Sequence, residues 1–338
     1  MKLLLILCPE RYVTCKNTTY SDIVNFYKVS STNDITIIIG NKYNKFKLTN
    51  NNKPNFVIFF DIDSAKYMKY FPSLIRPDIH LISCTTDLYN IKDVIACDTT
   101  KYLNTMISFS HTSKLEVTYK TIYPDKNILW IDRYINSDVY KNYMLPKKYD
   151  ILIYATRNID IPMQNQNADL CYTREWEQHN GKQIGKSHQY YPLRNKFETL
   201  IMKNLHKYNV KILPQSGSLE ATQYVNESLS QLINESYLTL ACCSRTDALY
   251  DKYLEIACSQ SCIIGDIPSD YIDVFTDNIC YINEWMSDEE ILSIIDNELS
   301  DKRELAIKTE RMADICRTNY GLEKFTEKMD GIIEHLTI

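Results

Sequence analysis

Residues 244–268 read SRTDALYDKYLEIACSQSCIIGDIP, and the rest of the chain is organised around them. The pattern is loop, helix, short turn, strand. Ser244, Thr246 and Asp247 each offer a side-chain oxygen to the unpaired N–H groups of an incoming helix. Leu249, Tyr253, Ile256 and Ala257 recur at helical spacing and predict a buried face. Asp247, Asp251 and Glu255 recur every four residues, which predicts a second, acidic face. Like charges at that spacing repel by about a few tenths of a kcal/mol per pair.

Asp247 in a first turn agrees with the helix dipole, whereas Glu255 near the last turn opposes it. A carboxylate so placed needs water or a ligand hydroxyl. Arg245 and Lys252 bring positive charge to the same neighbourhood, and a helix N-terminus adds backbone donors suited to phosphate. Phosphate donors at one end and a hydroxyl-seeking acid at the other describe a nucleotide-sugar site. An ordinary solvated helix with a mixed charged face fits the same pattern.

The spacing of Asp247 and Glu255, eight apart, resembles the paired acids of retaining GT-B glycosyltransferases. The run Lys252-Tyr253-Leu254-Glu255-Ile256-Ala257-Cys258, followed by Cys262-Ile263-Ile264-Gly265-Asp266, resembles the spore-maturation-protein-like branch of that group. That signature is a base, two residues, Glu, small residues, an apolar strand and Gly-Asp. Two features depart from it. The first acid is Asp rather than Glu, and Ser259-Gln260-Ser261 stands where a glycine is usual. The resemblance covers residues 130–335 closely and the N-terminal half in outline.

A chain of 338 residues is long enough for two domains with separate cores. At 44% hydrophobic and 24% charged residues it is globular rather than disordered. A net charge of −5 argues against a general nucleic-acid binder. The 26 tyrosines, the frequent Asn, Ile and Lys and the 7 glycines suggest AT-rich coding, as in a large DNA virus or a similar genome. The 11 cysteines include no CxxC pair, so buried reduced thiols in a cytoplasmic protein are expected, and neither they nor the 6 histidines show zinc-ligand spacing. The opening MKLLLILCPE carries too short an apolar run for a secretory signal and reads as a first buried strand. No window is apolar enough to span a bilayer.

Apolar runs over 3–8, 35–39, 56–60, 80–83 and 104–109 predict strands, with helices over 21–27 and 64–70. Continuous apolar strands separated by helices predict a mostly parallel sheet covered on both faces. Asp61-Ile62-Asp63 at a strand end has the form of a divalent-metal or phosphatase motif, but a strand-end loop acid is the preferred reading. The segment 128–136 resembles the exit from a first GT-B domain, and Leu145-Pro146-Lys147-Lys148 reads as a linker. The rhythm restarts with strands over 151–155, 210–213, 237–241 and 279–282. The expected helices lie over 193–207, 220–233, 270–275, 288–297, 302–316 and 322–336. Between them, residues 158–190, with His179 and His188, form a long polar connection suited to a substrate loop.

The fold class expected is therefore α/β: two Rossmann-like doubly wound domains (GT-B) with a cleft between them. Residues 1–145 would form an acceptor domain and 146–318 a nucleotide-sugar domain, with 319–338 packing back on the first. The resemblance implies transfer of a sugar from a nucleotide diphosphate sugar to a hydroxyl of a glycan or other acceptor. It implies retention and no bound metal or other cofactor. It implies Asp247, Lys252 and Arg245 as catalytic residues, and Glu255, Arg157, Arg194 and Tyr253 as nucleotide-binding residues. Arg157 sits where many GT-B enzymes place a diphosphate-binding base, although a surface loop arginine fits as well.

Overall fold

The computed structural model describes residues 1–7, 18–39, 48–49, 51–60, 71–85, 101–109, 116–117, 120–121, 123–154, 191–213, 224–243 and 247–337. The expected helix over 64–70, Asp61, Asp63 and the 158–190 connection lie outside the described residues. The chain divides into two compact units, Met1–Tyr134 with Leu322–Ile338, and Ile135–Gly321.

The first unit holds six parallel strands, β1 (Lys2–Leu7), β2 (Asp34–Ile39), β3 (Phe56–Phe60), β4 (His80–Thr85), β5 (Thr105–Ser108) and β6 (Asn127–Trp130), in the order β2-β1-β3-β4-β5-β6. Leu3 to Leu7 and Phe56 to Phe60 are all buried, as strands covered on both faces must be. Helices α1 (Thr18–Ser30) and α8 (Leu322–His335) pack against each other in this unit. Phe325 of α8 is the hub of its core, with ring centroids 5.5 Å from Tyr27, 6.2 Å from Phe60, 6.0 Å from Phe109 and 5.4 Å from Tyr134. Each such pair contributes about 0.5–1.5 kcal/mol beyond area burial. The last helix in sequence is thus part of the first core.

The second unit holds five parallel strands, β7 (Tyr149–Ile153), β8 (Val210–Ile212), β9 (Ser236–Ala241), β10 (Cys262–Gly265) and β11 (Cys280–Tyr281), in the order β11-β10-β9-β7-β8. Its helices among the described residues are α2 (Pro192–Lys203), α3 (Glu227–Asn234), α4 (Asp251–Cys258), α5 (Ile272–Phe275), α6 (Asp288–Ser300) and α7 (Lys302–Tyr320). Ser287 and Glu290 close a capping box on α6.

The division between units falls at Tyr134/Ile135 and Gly321/Leu322, not after 145 and 318. The reason is that residues 135–147 are bonded into the second unit. Ile135 N–H donates to the Tyr320 carbonyl at 2.8 Å, Lys141 N–H to Ser230 Oγ at 3.2 Å and Leu145 N–H to Asn234 Oδ1 at 3.1 Å. Lys147 Nζ donates to the carbonyls of Ser236 and Gln260 at 2.8 and 2.6 Å. A segment that satisfies its polar groups in this way is not a free linker.

Helix α2 ends at Lys203 rather than 207, with Asn204 as its C-cap. Asn204 turns its side-chain amide back onto the Leu200 carbonyl, as this residue does where a helix stops.

Candidate active site

The second unit's first strand, β7, lies between β8 and β9, so the chain leaves it toward one side of the sheet and later returns on the other. In open parallel sheets a ligand site forms off the carboxyl ends of the two strands at such a reversal. Here those ends are Tyr154, directly after β7, and Cys242 with Cys243, directly after β9. Three of the residues expected in the site converge on them.

Lys252, in the first turn of α4, donates from Nζ to the Tyr154 carbonyl at 3.0 Å. The same ammonium stands 3.7 Å from the centroid of the Tyr154 ring, a cation–π contact. Burial pushes the Lys252 amine down to about 8; the Glu255 charge opposes that shift and the Arg194 charge adds to it. Glu255, one turn further along, is buried with 8% of its surface exposed. Its Oε2 accepts a 2.9 Å hydrogen bond from the Tyr154 hydroxyl, and its carboxylate accepts a second from Tyr140. Burial raises the Glu255 carboxyl above its ordinary range, against the pull of Lys252. Arg194, from the first turn of α2, is buried, stacks 3.6 Å from the Tyr191 ring centroid and hydrogen-bonds the Cys242 thiol.

The other two described candidates lie elsewhere in the unit. Asp247 does not open the helix: α4 begins at Asp251, with Tyr250 as an N-cap that makes no side-chain cap bond. Asp247 takes a left-handed backbone, φ 52°, a conformation that Asp tolerates better than most residues. Its carboxylate accepts from the Ser269 N–H at 3.1 Å and from the Ser269 hydroxyl. The expected stripe of three acids therefore shrinks to Asp251 and Glu255 on one helix, and Asp247 faces the start of the 3-10 turn Ser269–Tyr271. Tyr253 is fully buried, T-stacked on Phe275 at 5.3 Å, with its hydroxyl 3.0 Å from both the carbonyl and Oδ1 of Asp266. It supports the helix from behind. Burial pushes the Asp266 carboxyl up to about 6 although Cys243 N–H donates to it at 2.8 Å. Arg157, Arg245, Ser244, Thr246, His179 and His188 lie outside the described residues.

The Ser259-Gln260-Ser261 departure from the glycosyltransferase signature acquires a physical meaning. Gln260 carries φ 56° just after α4, while Ser261 N–H bonds the Ile256 carbonyl and Gln260 N–H the Ala257 carbonyl. This is the helix-ending turn that favours glycine. Gly265 itself is obligatory, because a Cβ there would overlap the Ala241 carbonyl on the adjacent strand. Tyr154, Tyr140 and Tyr191 escaped the sequence reading. The signal that points to Tyr154 is its place as the first residue past an apolar strand.

Among the described residues no cluster of His, Cys, Asp or Glu could hold a metal ion, and no helix is long and apolar enough to cross a membrane. The seven described cysteines are buried, and none of them is in a disulfide.

No family model and no curated protein sequence matches the chain. Solved structures do match in fold. Sucrose-phosphate synthase from Thermosynechococcus elongatus aligns at a TM-score of 0.59 and 10% identity, over 100% of this chain and 99% of that one. The Anabaena protein HepE in complex with UDP and glucose aligns at 0.58 and 10% identity, over 99% and 100%. An alpha-glucosyltransferase in complex with UDP and a 13-mer DNA containing a central A:G mismatch aligns at 0.59 and 12% identity, over 98% and 100%. The chain thus has two parallel-sheet α/β domains, the fold of its GT-B glycosyltransferase neighbours.

Proposed function

We propose that the protein is a glycosyltransferase that moves a sugar from a nucleotide diphosphate sugar to an acceptor hydroxyl, with retention and without a bound metal. The observation that carries this reading is the gathering of Arg194, Lys252 and Glu255 around Tyr154 at the strand reversal of the second unit. Two cations beside a buried acid suit a diphosphate next to a hydroxyl-rich ring. Glu255 accepts from the ribose hydroxyls; a carboxylate has about four lone-pair positions, and the two tyrosines use two of them. Lys252, with Arg194, Arg245 and Arg157, neutralises the charge that builds on the leaving diphosphate, which is electrostatic stabilisation of the transition state. Asp247 contacts the donor sugar, and Tyr253 holds α4 in place for nucleotide binding. The acceptor, a glycan or another hydroxyl compound, is assigned to the first unit. Membership of the spore-maturation-like branch rests on the Lys252–Asp266 motif, viral origin on the AT-biased composition, and cytoplasmic placement on the scattered cysteines.

A second reading, nucleotide-sugar binding without turnover, is favoured by the engagement of Asp247 with Ser269. The experiment that decides is calorimetry and transfer assays with UDP-, GDP- and ADP-sugars, UDP-sugars first because two of the aligned structures contain UDP. Acceptors include DNA, which one aligned structure contains, although the net charge of −5 favours a different acceptor. Glu255→Ala weakens nucleotide binding and Lys252→Ala depresses turnover. Binding without transfer supports the second reading, and full activity in both variants removes the site assignment. Loss of activity with chelator and in Asp61→Asn, but not in Glu255→Ala, marks a metal-dependent enzyme using Asp61 and Asp63 instead.

A further inference from the structure

Tyr154 uses three parts of itself on two neighbours. Its carbonyl and ring face hold the Lys252 ammonium, at 3.0 Å and 3.7 Å, and its hydroxyl holds Glu255 at 2.9 Å. Lys252 and Glu255 stand three apart on α4, a spacing at which opposite charges usually meet. Among the described residues they form no direct ion pair; Lys252 goes to β7's end and Glu255 to two tyrosine hydroxyls. The one phenol ring meets the ammonium at its face and the carboxylate at its hydroxyl. We propose that Tyr154 is a positioning residue, a spacer that prevents Lys252 and Glu255 from neutralising each other and so keeps the cation available to a diphosphate and the acid to ribose hydroxyls.

The physical need is clear from the surroundings. Lys252 is faced by Glu255 and Asp251 on its own helix, by Arg194 from α2 and by Cys242 just past β9. Arg194 repels the ammonium, and burial weakens its hold on a proton. The nearest relief is collapse onto the Glu255 carboxylate, which would satisfy both groups and close the site. The Tyr154 carbonyl and ring supply the alternative partner. The hydroxyl, kept protonated by burial beside Glu255, supplies the acid with a donor that carries no charge.

This inference rests on the nucleotide reading of the same site, so its test has a readout that needs no nucleotide. The ε-carbon signal of Lys252 is titrated by NMR in ligand-free protein, and UDP binding is measured by calorimetry. Tyr154→Phe keeps the ring and the carbonyl, so the Lys252 midpoint stays near about 8, its value beside the intact tyrosine. Tyr154→Leu fills much of the space but removes the ring and the hydroxyl. Lys252 then pairs with Glu255, its midpoint rises, and UDP affinity falls about tenfold, as when a charged contact is withdrawn. Tyr154→Leu combined with Glu255→Gln has no carboxylate to collapse onto, so the midpoint does not rise. A merely structural role would lower the melting temperature of both single variants and leave the midpoints alone. An unchanged midpoint and UDP affinity in Tyr154→Leu overturns the spacer, as does a rise that persists with Glu255→Gln. If the wild type binds no nucleoside diphosphate while the Tyr154→Leu midpoint rises, the nucleotide reading fails and the spacing of the charges stands.

Discussion

Two carboxylates, the half-buried Asp330 in the first unit and the buried Glu255 in the second, show how differently an acid can be used. Asp330 on α8 draws five donors. Its Oδ1 accepts from Tyr27 Oη at 2.9 Å, Ser31 Oγ at 2.6 Å and Asn33 Nδ2 at 2.9 Å, and its Oδ2 from Thr32 N at 3.2 Å and Thr32 Oγ1 at 3.4 Å. Burial alone would raise its pKa, but the bonds from Ser31, Tyr27, Thr32 and Asn33 outweigh it and hold the carboxyl below its ordinary range. Glu255 draws two phenols among the described residues, and burial holds it above its ordinary range. The first acid is saturated by its own chain and ties the last helix to the first core. The second is left with unused acceptor capacity beside two cations. Saturation marks an anchor, and incomplete satisfaction next to charge marks a place built for something else.

The sharpest way to break this contrast is to delete each acid. Glu255→Ala is expected to weaken UDP binding about a hundredfold, roughly 2.7 kcal/mol, and to lower the urea midpoint less than Asp330→Ala does, because burial opposes the Glu255 charge and only the Tyr154 and Tyr140 hydroxyls lose their acceptor. Asp330→Ala is expected to do the reverse, costing about 2–3 kcal/mol of unfolding free energy for several bonds to a charged group with UDP affinity retained. If Glu255→Ala unfolds the protein instead, both acids are anchors and the distinction is lost. The Asp330 contribution is present above the ordinary carboxylate range and is lost as pH falls through the lowered folded value, so a loss of stability on acidification that is smaller in Asp330→Asn than in the wild type sharpens the assignment.

A smaller effect tests the cation beside Glu255. Lys252 is charged below about 8 and neutral above it. UDP affinity should therefore fall about threefold to tenfold between pH 7.5 and 9. Lys252→Arg should carry binding past that limit, since a guanidinium stays protonated. The smallest effect concerns the turn that ends the Glu255 helix. Gln260→Gly relieves a left-handed backbone and is expected to add up to about 1 kcal/mol of stability. The Asn142 bond to the Gln260 side chain, 2.6 Å long, subtracts from that gain. UDP affinity should not move, which separates the scaffold of the helix from its Lys252–Glu255 turn.

Much of the architecture is legible in the residues alone. The buried strands announce themselves as unbroken apolar runs: 56–60 is expected and observed with the same limits, and β1, β2, β4, β7 and β9 fall within two residues of expectation. Such runs are readable because a strand covered on both faces permits nothing else. Lys252 and Glu255 are legible as candidates for a site because a base and an acid at that spacing, just ahead of an apolar strand and Gly-Asp, resemble a known pattern. Asp247 misleads because helical periodicity extends past the true helix start. The Ser269 N–H and hydroxyl compete for its carboxylate, and no local pattern reveals a partner 22 residues away.

By itself, then, the sequence determined two parallel α/β domains and a charged helix carrying Lys252 and Glu255, though not its start at Asp251, since both follow from local periodicity and burial. Only the tertiary structure decided that residues 135–147 belong to the second unit, that Phe325 is the hub of the first core, and that Tyr154 contacts both Lys252 and Glu255. Those facts depend on strand order and on contacts between residues about a hundred or more positions apart. Chain entropy makes such contacts costly to form, and nothing in the neighbouring sequence encodes them.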